Sequence, residues 1–80
     1  MGDLDMVKKD RILPIAPVDR IIRKADVDRV SESAAETLAE ILEKIGIEIS
    51  KIALEMVKHR KHKIINGEDI KLAWKIFKEK

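Results

Sequence analysis

Apolar residues recur between residues 31 and 58 at the spacing of an α-helix that buries one face. The large ones alternate in steps of four and three: Leu38, Leu42, Ile45, Ile49, Ile52 and Met56. A second row widens this face with Ala35, Ala39, Gly46, Ala53 and Val57. A helix of this length is roughly 42 Å long at 1.5 Å per residue. Because the short flanking segments cannot cover such a face, the pattern predicts a partner, most simply a second copy of the chain.

A short helix is predicted before the long one, from about Ile15 to Ala25. Pro14 and Pro17 suit its opening turn, where a missing N–H costs little. Its apolar face consists of Ile15, Val18, Ile21, Ile22 and Ala25. Residues 26–30 break the pattern and predict a loop with a short extended piece.

The remaining boundaries follow from capping residues. Ser31 or Ser33 is expected to cap the long helix, and the basic run 58–63 is expected to end it. Residues 63–65 suggest a very short strand. Asn66 then caps a last helix with acids in its first turn. The apolar face of that helix consists of Ile70, Ala73, Trp74 and Phe77.

Composition narrows the class of protein. The 80 residues predict one small domain over 11–80, preceded by a flexible N-terminal tail over 1–10. The absence of cysteine excludes disulfides and zinc–thiolate sites and fits a reducing interior. No apolar run is long enough to span a membrane and no signal peptide is evident, so we expect a cytoplasmic protein.

Charge is unevenly distributed although the net charge is only +2. Residues 31–57 contain six Glu and two Lys, whereas residues 58–63 contain four Lys or Arg and no acid. The positive charge therefore lies on the flanks of the long helix, and a dimer doubles each patch. Such a concentrated patch can steer a polyanion even when the total charge is modest.

Three segments resemble archaeal histones. They are Leu13 to Ala25, Arg29-Val30-Ser31, and Glu68 to Ala73, and the similarity runs from about Leu13 to Lys78 without a gap. The resemblance implies an all-α histone fold of short, long and short helices that pairs as a handshake homodimer. It also implies wrapping or compaction of duplex DNA in the nucleoid, largely without sequence specificity.

The resemblance also assigns roles to residues. Arg20 matches the arginine that enters the minor groove, and Arg29 and Lys63 match loop residues beside the DNA backbone. We therefore expect DNA binding at Arg20, Arg23, Lys24, Arg29, Lys61 and Lys63. By family position, a contact between dimers is expected at Met56, His59, Asp69 and Leu72. The resemblance further allows tetramers or longer assemblies on DNA, and a heterodimer with a related histone.

Four positions depart from the family pattern. His62 stands where an arginine usually pairs with Asp69, which predicts a weaker, pH-dependent pair. Ile64 replaces a threonine that offers a hydroxyl to phosphate, so that contact is expected to be lost. Asn66 replaces a common lysine, and Asp26 replaces a common glycine in the first loop.

Other interpretations stay open. A plain coiled coil is disfavoured because the apolar face has two rows and the flanking helices would have no role. A DNA-bridging histone, or a histone-fold subunit of a transcription factor, would use the same fold for other purposes. His59 and His62 lack further metal ligands, and no catalytic constellation or cofactor motif is evident, so neither a metal, a cofactor nor enzyme activity is expected.

Overall fold

The computed structural model describes residues 11–61 and 64–79, which form three α-helices. α1 spans Ile15–Arg23, α2 spans Glu32–Val57 and α3 spans Gly67–Lys78. This order confirms the predicted succession of a short, a long and a short helix. The predicted tail at residues 1–10 lies outside the described residues.

The short strand predicted at residues 63–65 is wrong for Ile64 and Ile65, which are irregular, and Lys63 lies outside the described residues. A strand exists only where ladder hydrogen bonds join it to a second strand. Two consecutive isoleucines indicate an apolar segment but not whether such a neighbour is present.

α1 begins and ends where local chemistry allows. Pro14, with φ −67°, is the residue before the first helical turn and loses nothing by lacking an N–H there. The helix ends at Arg23 rather than at Ala25, because the chain turns through Asp26, which has φ 65°. Aspartate is one of the few residues besides glycine that adopt this left-handed conformation at modest cost. The left-handed conformation of Asp26 explains why glycine is usual at this position.

The chain divides into two compact units, the first reaching Lys44 and the second beginning at Ile45. In the first unit, Val18 of α1 is buried with Ala35 and Ala39 of α2. Partly buried apolar side chains surround this cluster: Leu13, Ile15, Ile22, Val30, Leu38 and Leu42. The small side chains of Ala35 and Ala39 in α2 thus let α1 approach closely.

Capping fixes the start of α2. The Ser31 hydroxyl accepts a hydrogen bond from the N–H of Ala34 at 3.1 Å, so Ser31 is the cap rather than Ser33. At the other end α2 stops at Val57, where the basic run begins as predicted.

The second unit buries small residues and leaves large ones partly in solvent. Ala53 and Val57 of α2 and Ala73 of α3 are fully buried. Trp74 of α3 is 44% exposed and stacks on Phe77 with ring centroids 6.0 Å apart. The large row of α2 consists of its large apolar residues Leu38, Leu42, Ile45, Ile49, Ile52 and Met56. All six side chains are only half-buried. A single chain therefore buries Ala35, Ala39, Ala53 and Val57, whereas Gly46 and the large row keep surface in solvent.

No helix among the described residues is both long and apolar enough to cross a membrane.

Candidate nucleic-acid interface

Two arginines of the first unit have exposed side chains that could bind an anion. Arg20 lies on α1 and Arg29 lies in the loop before α2, and both are exposed. Within residues 11–61 and 64–79, neither side chain has a hydrogen-bond or ion-pair partner. Their guanidinium groups are thus available to an external anion. Lys24, which follows α1, is exposed as well.

Arg23, in contrast, is held by its own unit. Its Nε donates to Asp19 Oδ2 at 3.0 Å, and its Nη1 donates to the carbonyl of Asp28 at 3.4 Å. Arg23 therefore ties the first loop to α1, and about half of its side chain remains exposed.

In the second unit, a two-bond ion pair joins the chain after α2 to the start of α3. Arg60 Nη2 lies 2.6 Å from Asp69 Oδ1, and Arg60 Nη1 lies 3.1 Å from Asp69 Oδ2. Arg60 thus gives Asp69 a permanently charged partner that engages both carboxylate oxygens; the weaker, pH-dependent pair was predicted for another residue. His62 lies outside the described residues.

Asp69 is also part of a capping box. Its Oδ2 accepts from the N–H of Asn66 at 3.0 Å, while Asn66 Oδ1 accepts from the N–H of Asp69 at 3.2 Å. These bonds satisfy free N–H groups at the start of α3. The arginine and the Asn66 N–H lower the pKa of the Asp69 carboxyl, in that order of importance. Asn66, in the place of a common lysine, therefore has a structural use.

The basic run contains fewer free cations than its sequence indicates. Lys58 Nζ lies 2.8 Å from Glu55 Oε1, and Arg60 is paired with Asp69. The Lys58 ammonium lowers the pKa of Glu55, first by hydrogen bonding and then by its charge. Lys61 is exposed, and Lys63 lies outside the described residues. Two of the four cations thus already have a carboxylate partner.

The residues predicted for contacts between dimers all lie in the second unit. His59 and Leu72 are exposed and Met56 is half-buried. Asp69 is only 4% exposed, so its carboxylate presents little surface to another molecule. The group remains a prediction, for which Met56, His59 and Leu72 offer accessible side chains.

Within the described part of the chain, no three His, Cys, Asp or Glu side chains come together as a metal ion would require.

Comparison with known proteins resolves the family. A family model for the histone-like transcription factors (CBF/NF-Y) and archaeal histones matches residues 11–74. The chain belongs to this family. Its all-α histone fold agrees with the predicted class, and handshake dimers are standard for such folds.

Relatives of this histone support the assignment. It is 54% identical over 63 residues to one of the subunits of archaeal histone HAN1 from Thermococcus zilligii, a match that covers 79% of this chain and 94% of the relative. It is 46% identical over 61 residues to probable archaeal histone 3 of Methanocaldococcus jannaschii, covering 76% and 91%. One of the subunits of nuclear transcription factor Y from Oryza sativa subsp. japonica is 35% identical over 68 residues, which are 82% of this chain but 38% of the plant protein. The histone is thus a DNA-binding chromatin protein by family rather than an enzyme.

Sequence reasoning missed two residues that organise this histone. Glu43 accepts hydrogen bonds from the N–H groups of Ile12 and Leu13, each at 2.8 Å. The sequence did indicate that Glu43 faces the rest of the chain, because it lies one helical turn after the buried Ala39. Arg60 was hidden in the basic run, where nothing in the spacing distinguishes it from the neighbouring cations.

Proposed function

We propose that this histone binds duplex DNA through backbone contacts and a minor-groove arginine, largely without sequence specificity. One observation carries the proposal: Arg20 and Arg29 are exposed and have no partner among the described residues, whereas Arg23, Lys58 and Arg60 are paired. Long cationic side chains at a helix and a loop suit phosphates, and a narrow minor groove attracts arginine. Lys24, Lys61 and Lys63 supply further phosphate contacts.

The binding unit in this proposal is a homodimer. The half-buried large row of α2 and the exposed Ile70 and Trp74 of α3 leave apolar surface that a second copy covers. A related histone with the same rows can replace the second copy, giving a heterodimer. Dimers then associate into tetramers or longer assemblies on DNA through Met56, His59 and Leu72, and the protein is associated with the chromosome.

A salt titration of duplex affinity tests the DNA surface. Each phosphate contact contributes about −0.9 to the slope of log affinity against log salt, so a variant that removes one contact per protomer changes the dimer's slope by about 1.8. Arg29→Ala and Lys63→Ala are expected to weaken binding and flatten this slope, and Arg20→Ala to weaken binding. Lys44→Ala, which removes an exposed cation of α2 outside the proposed surface, is the matched control. Parent-like binding by all three test variants would place the DNA surface elsewhere.

Nuclease digestion of the complex tests wrapping. A ladder of protected lengths is expected if dimers extend along a wrapped duplex. A DNA-bridging histone instead joins two duplexes, and single-molecule tethering then shows looping without continuous contour shortening.

A histone-fold dimerisation module of a transcription factor is the second candidate. The 35% identity to a component of a nuclear transcription factor and the replacement of the phosphate-contacting threonine by Ile64 favour it. Such a module needs a further protein to engage DNA. Failure of the homodimer alone to shift a duplex at low salt would support this candidate over the first.

A further inference from the structure

One side-chain oxygen holds the chain just before α1. Glu43 of α2 accepts hydrogen bonds at Oε2 from the N–H groups of Ile12 and Leu13, each at 2.8 Å. The next residue, Pro14, has no N–H, so these are the last two backbone donors before the helix begins. α1 has no side-chain cap at Pro14 and no acid in its first turn. Glu43 therefore supplies a polar contact that fixes the start of α1 against α2.

The contact from Glu43 is directional, whereas the burial of Val18 of α1 against α2 is not. The hydrophobic effect has no preferred direction, but a hydrogen bond weakens steeply when its angle is lost. Arg20 is exposed and follows Val18 by two residues, about 200° around the helix, so it lies on the side of α1 away from Val18. On that outer side, a small rotation or slide of α1 displaces the long Arg20 side chain directly.

We propose that Glu43 is a positioning residue for DNA binding, which holds α1 in the orientation that directs Arg20 into the minor groove. The proposal rests on the DNA-binding function above. It assigns Glu43 no contact with DNA, because a carboxylate is repelled by the phosphates. The acceptor of Glu43, rather than its charge, is what α1 requires, since both N–H groups bond to the same oxygen.

Glu43→Gln and Glu43→Met separate the acceptor from the charge. Both variants remove the same negative charge, so an electrostatic effect alone would tighten duplex binding by both to the same extent. The amide oxygen of glutamine can accept both N–H bonds, whereas the thioether of methionine, a side chain of similar length, is only a weak acceptor. Residues coupled through one network commonly change each other's effects by about twofold or more, and the proposed dimer has two such anchors, so we expect Glu43→Met to bind about fivefold or more weakly than Glu43→Gln. Equal affinities of the two variants, or tighter binding by Glu43→Met, would overturn the proposal.

Glu48→Gln and Glu48→Met are the matched controls on the same helix. Glu48 lies 3.7 Å from Lys51 and both side chains are exposed, so the same exchange there should leave the two variants with equal affinities. Circular dichroism and sedimentation first establish that each variant is helical and dimeric at the assay temperature. Should Glu43→Met not fold, Glu43→Asp replaces it, because aspartate keeps the charge but is one methylene too short for its oxygen to reach both N–H groups at 2.8 Å. Weaker binding than the parent then supports the proposal, and parent-like binding overturns it.

A double-mutant cycle shows whether Glu43 acts through Arg20. In an Arg20→Ala background the difference between Glu43→Gln and Glu43→Met should disappear, because the side chain that the anchor directs is gone. In an Arg29→Ala background the difference should persist, because Arg29 lies in the loop beyond α1. A difference of the same size in both backgrounds would mean that Glu43 only stabilises the fold, which overturns the positioning role. A parent that fails to shift duplex DNA, or an Arg20→Ala variant that binds like the parent, would refute the DNA surface proposed above and is thereby recognised separately.

Discussion

Glu43 of α2 holds the segment that leads into α1: its Oε2 lies 2.8 Å from the backbone nitrogen of Leu13 and also accepts from the preceding N–H of Ile12. Two N–H groups that α1 cannot use are thereby satisfied by one carboxylate. The contact spans thirty residues of sequence and fixes the direction in which the chain enters α1. Because Arg20 lies on that helix, we expect Glu43 to influence the placement of Arg20.

Glu43→Ala is expected to lower the free energy of unfolding by about 1–3 kcal/mol, because hydrogen bonds to a charged group are lost and one of the N–H groups is partly buried. Urea unfolding monitored by circular dichroism measures the change. Glu48→Ala is the control, since the Glu48 side chain makes an exposed pair with Lys51 at 3.7 Å. We expect its effect to stay within about 0.5 kcal/mol. Equal effects of the two variants would mean that the Glu43 contact does not stabilise the fold.

The large row of α2 is expected to make the dimer obligatory. Burying one leucine or isoleucine contributes roughly 1.5–3 kcal/mol, and six such residues are half-buried in the single chain. Ile49→Asp is expected to unfold the protein, as judged by loss of helical circular dichroism. Ile47→Asp, two residues away, is the control, because Ile47 is 51% exposed in the chain and lies outside the row. A soluble, helical monomer of Ile49→Asp would contradict an obligatory dimer.

Regular patterns and caps predicted the helices, whereas single contacts between distant residues were not predictable. The start of α2 at Ser31 and the cap at Asn66 follow from short-range chemistry that any local sequence displays. The end of α1 was placed two residues too late, because Ala25 continues the apolar period and the left-handed turn at Asp26 carries no periodic signal. The Arg60–Asp69 pair depends on the path of the loop. Several cations compete for one carboxylate there, and spacing alone cannot choose between them.

The contribution of the Arg60–Asp69 pair to the free energy of unfolding is expected to be constant between pH ~5 and ~8. The pair lowers the pKa of Asp69 below its usual value near 4, chiefly through the hydrogen bonds from Arg60. A depressed carboxyl pKa adds stability above the unfolded-state pKa, and this stability is lost as pH falls through the lower folded-state pKa. The free energies of unfolding of the parent and of Asp69→Asn, measured in urea, should therefore differ by a constant amount around neutral pH. The difference should shrink below pH ~4. A difference that instead changes between pH ~6 and ~7 would point to a histidine partner.

Association between dimers on DNA is expected to depend on apolar contact more than on pH. A pair between His59 and Asp69 across two dimers would strengthen association as pH falls through the histidine range. The Asp69 carboxylate is instead engaged by Arg60 and the Asn66 N–H and is almost fully shielded. Leu72 is 49% exposed on α3 and Met56 is half-buried, so these side chains are the accessible part of the predicted contact.

Sedimentation of the protein on a short duplex at pH ~6 and ~8 tests this expectation. Leu72→Ser should reduce assembly beyond the dimer at both values, whereas Lys71→Ser, at the neighbouring exposed position, should not. His59→Ala should change assembly equally at both pH values, because the shielded Asp69 carboxylate is not accessible to pair with a charged His59. Assembly that increases at pH ~6 in the parent and loses this increase in His59→Ala would show that His59 does find an acid across the contact. Arg60 would then have to release Asp69 when dimers meet, and the two-bond pair seen in the single chain would be a feature of the unassembled state.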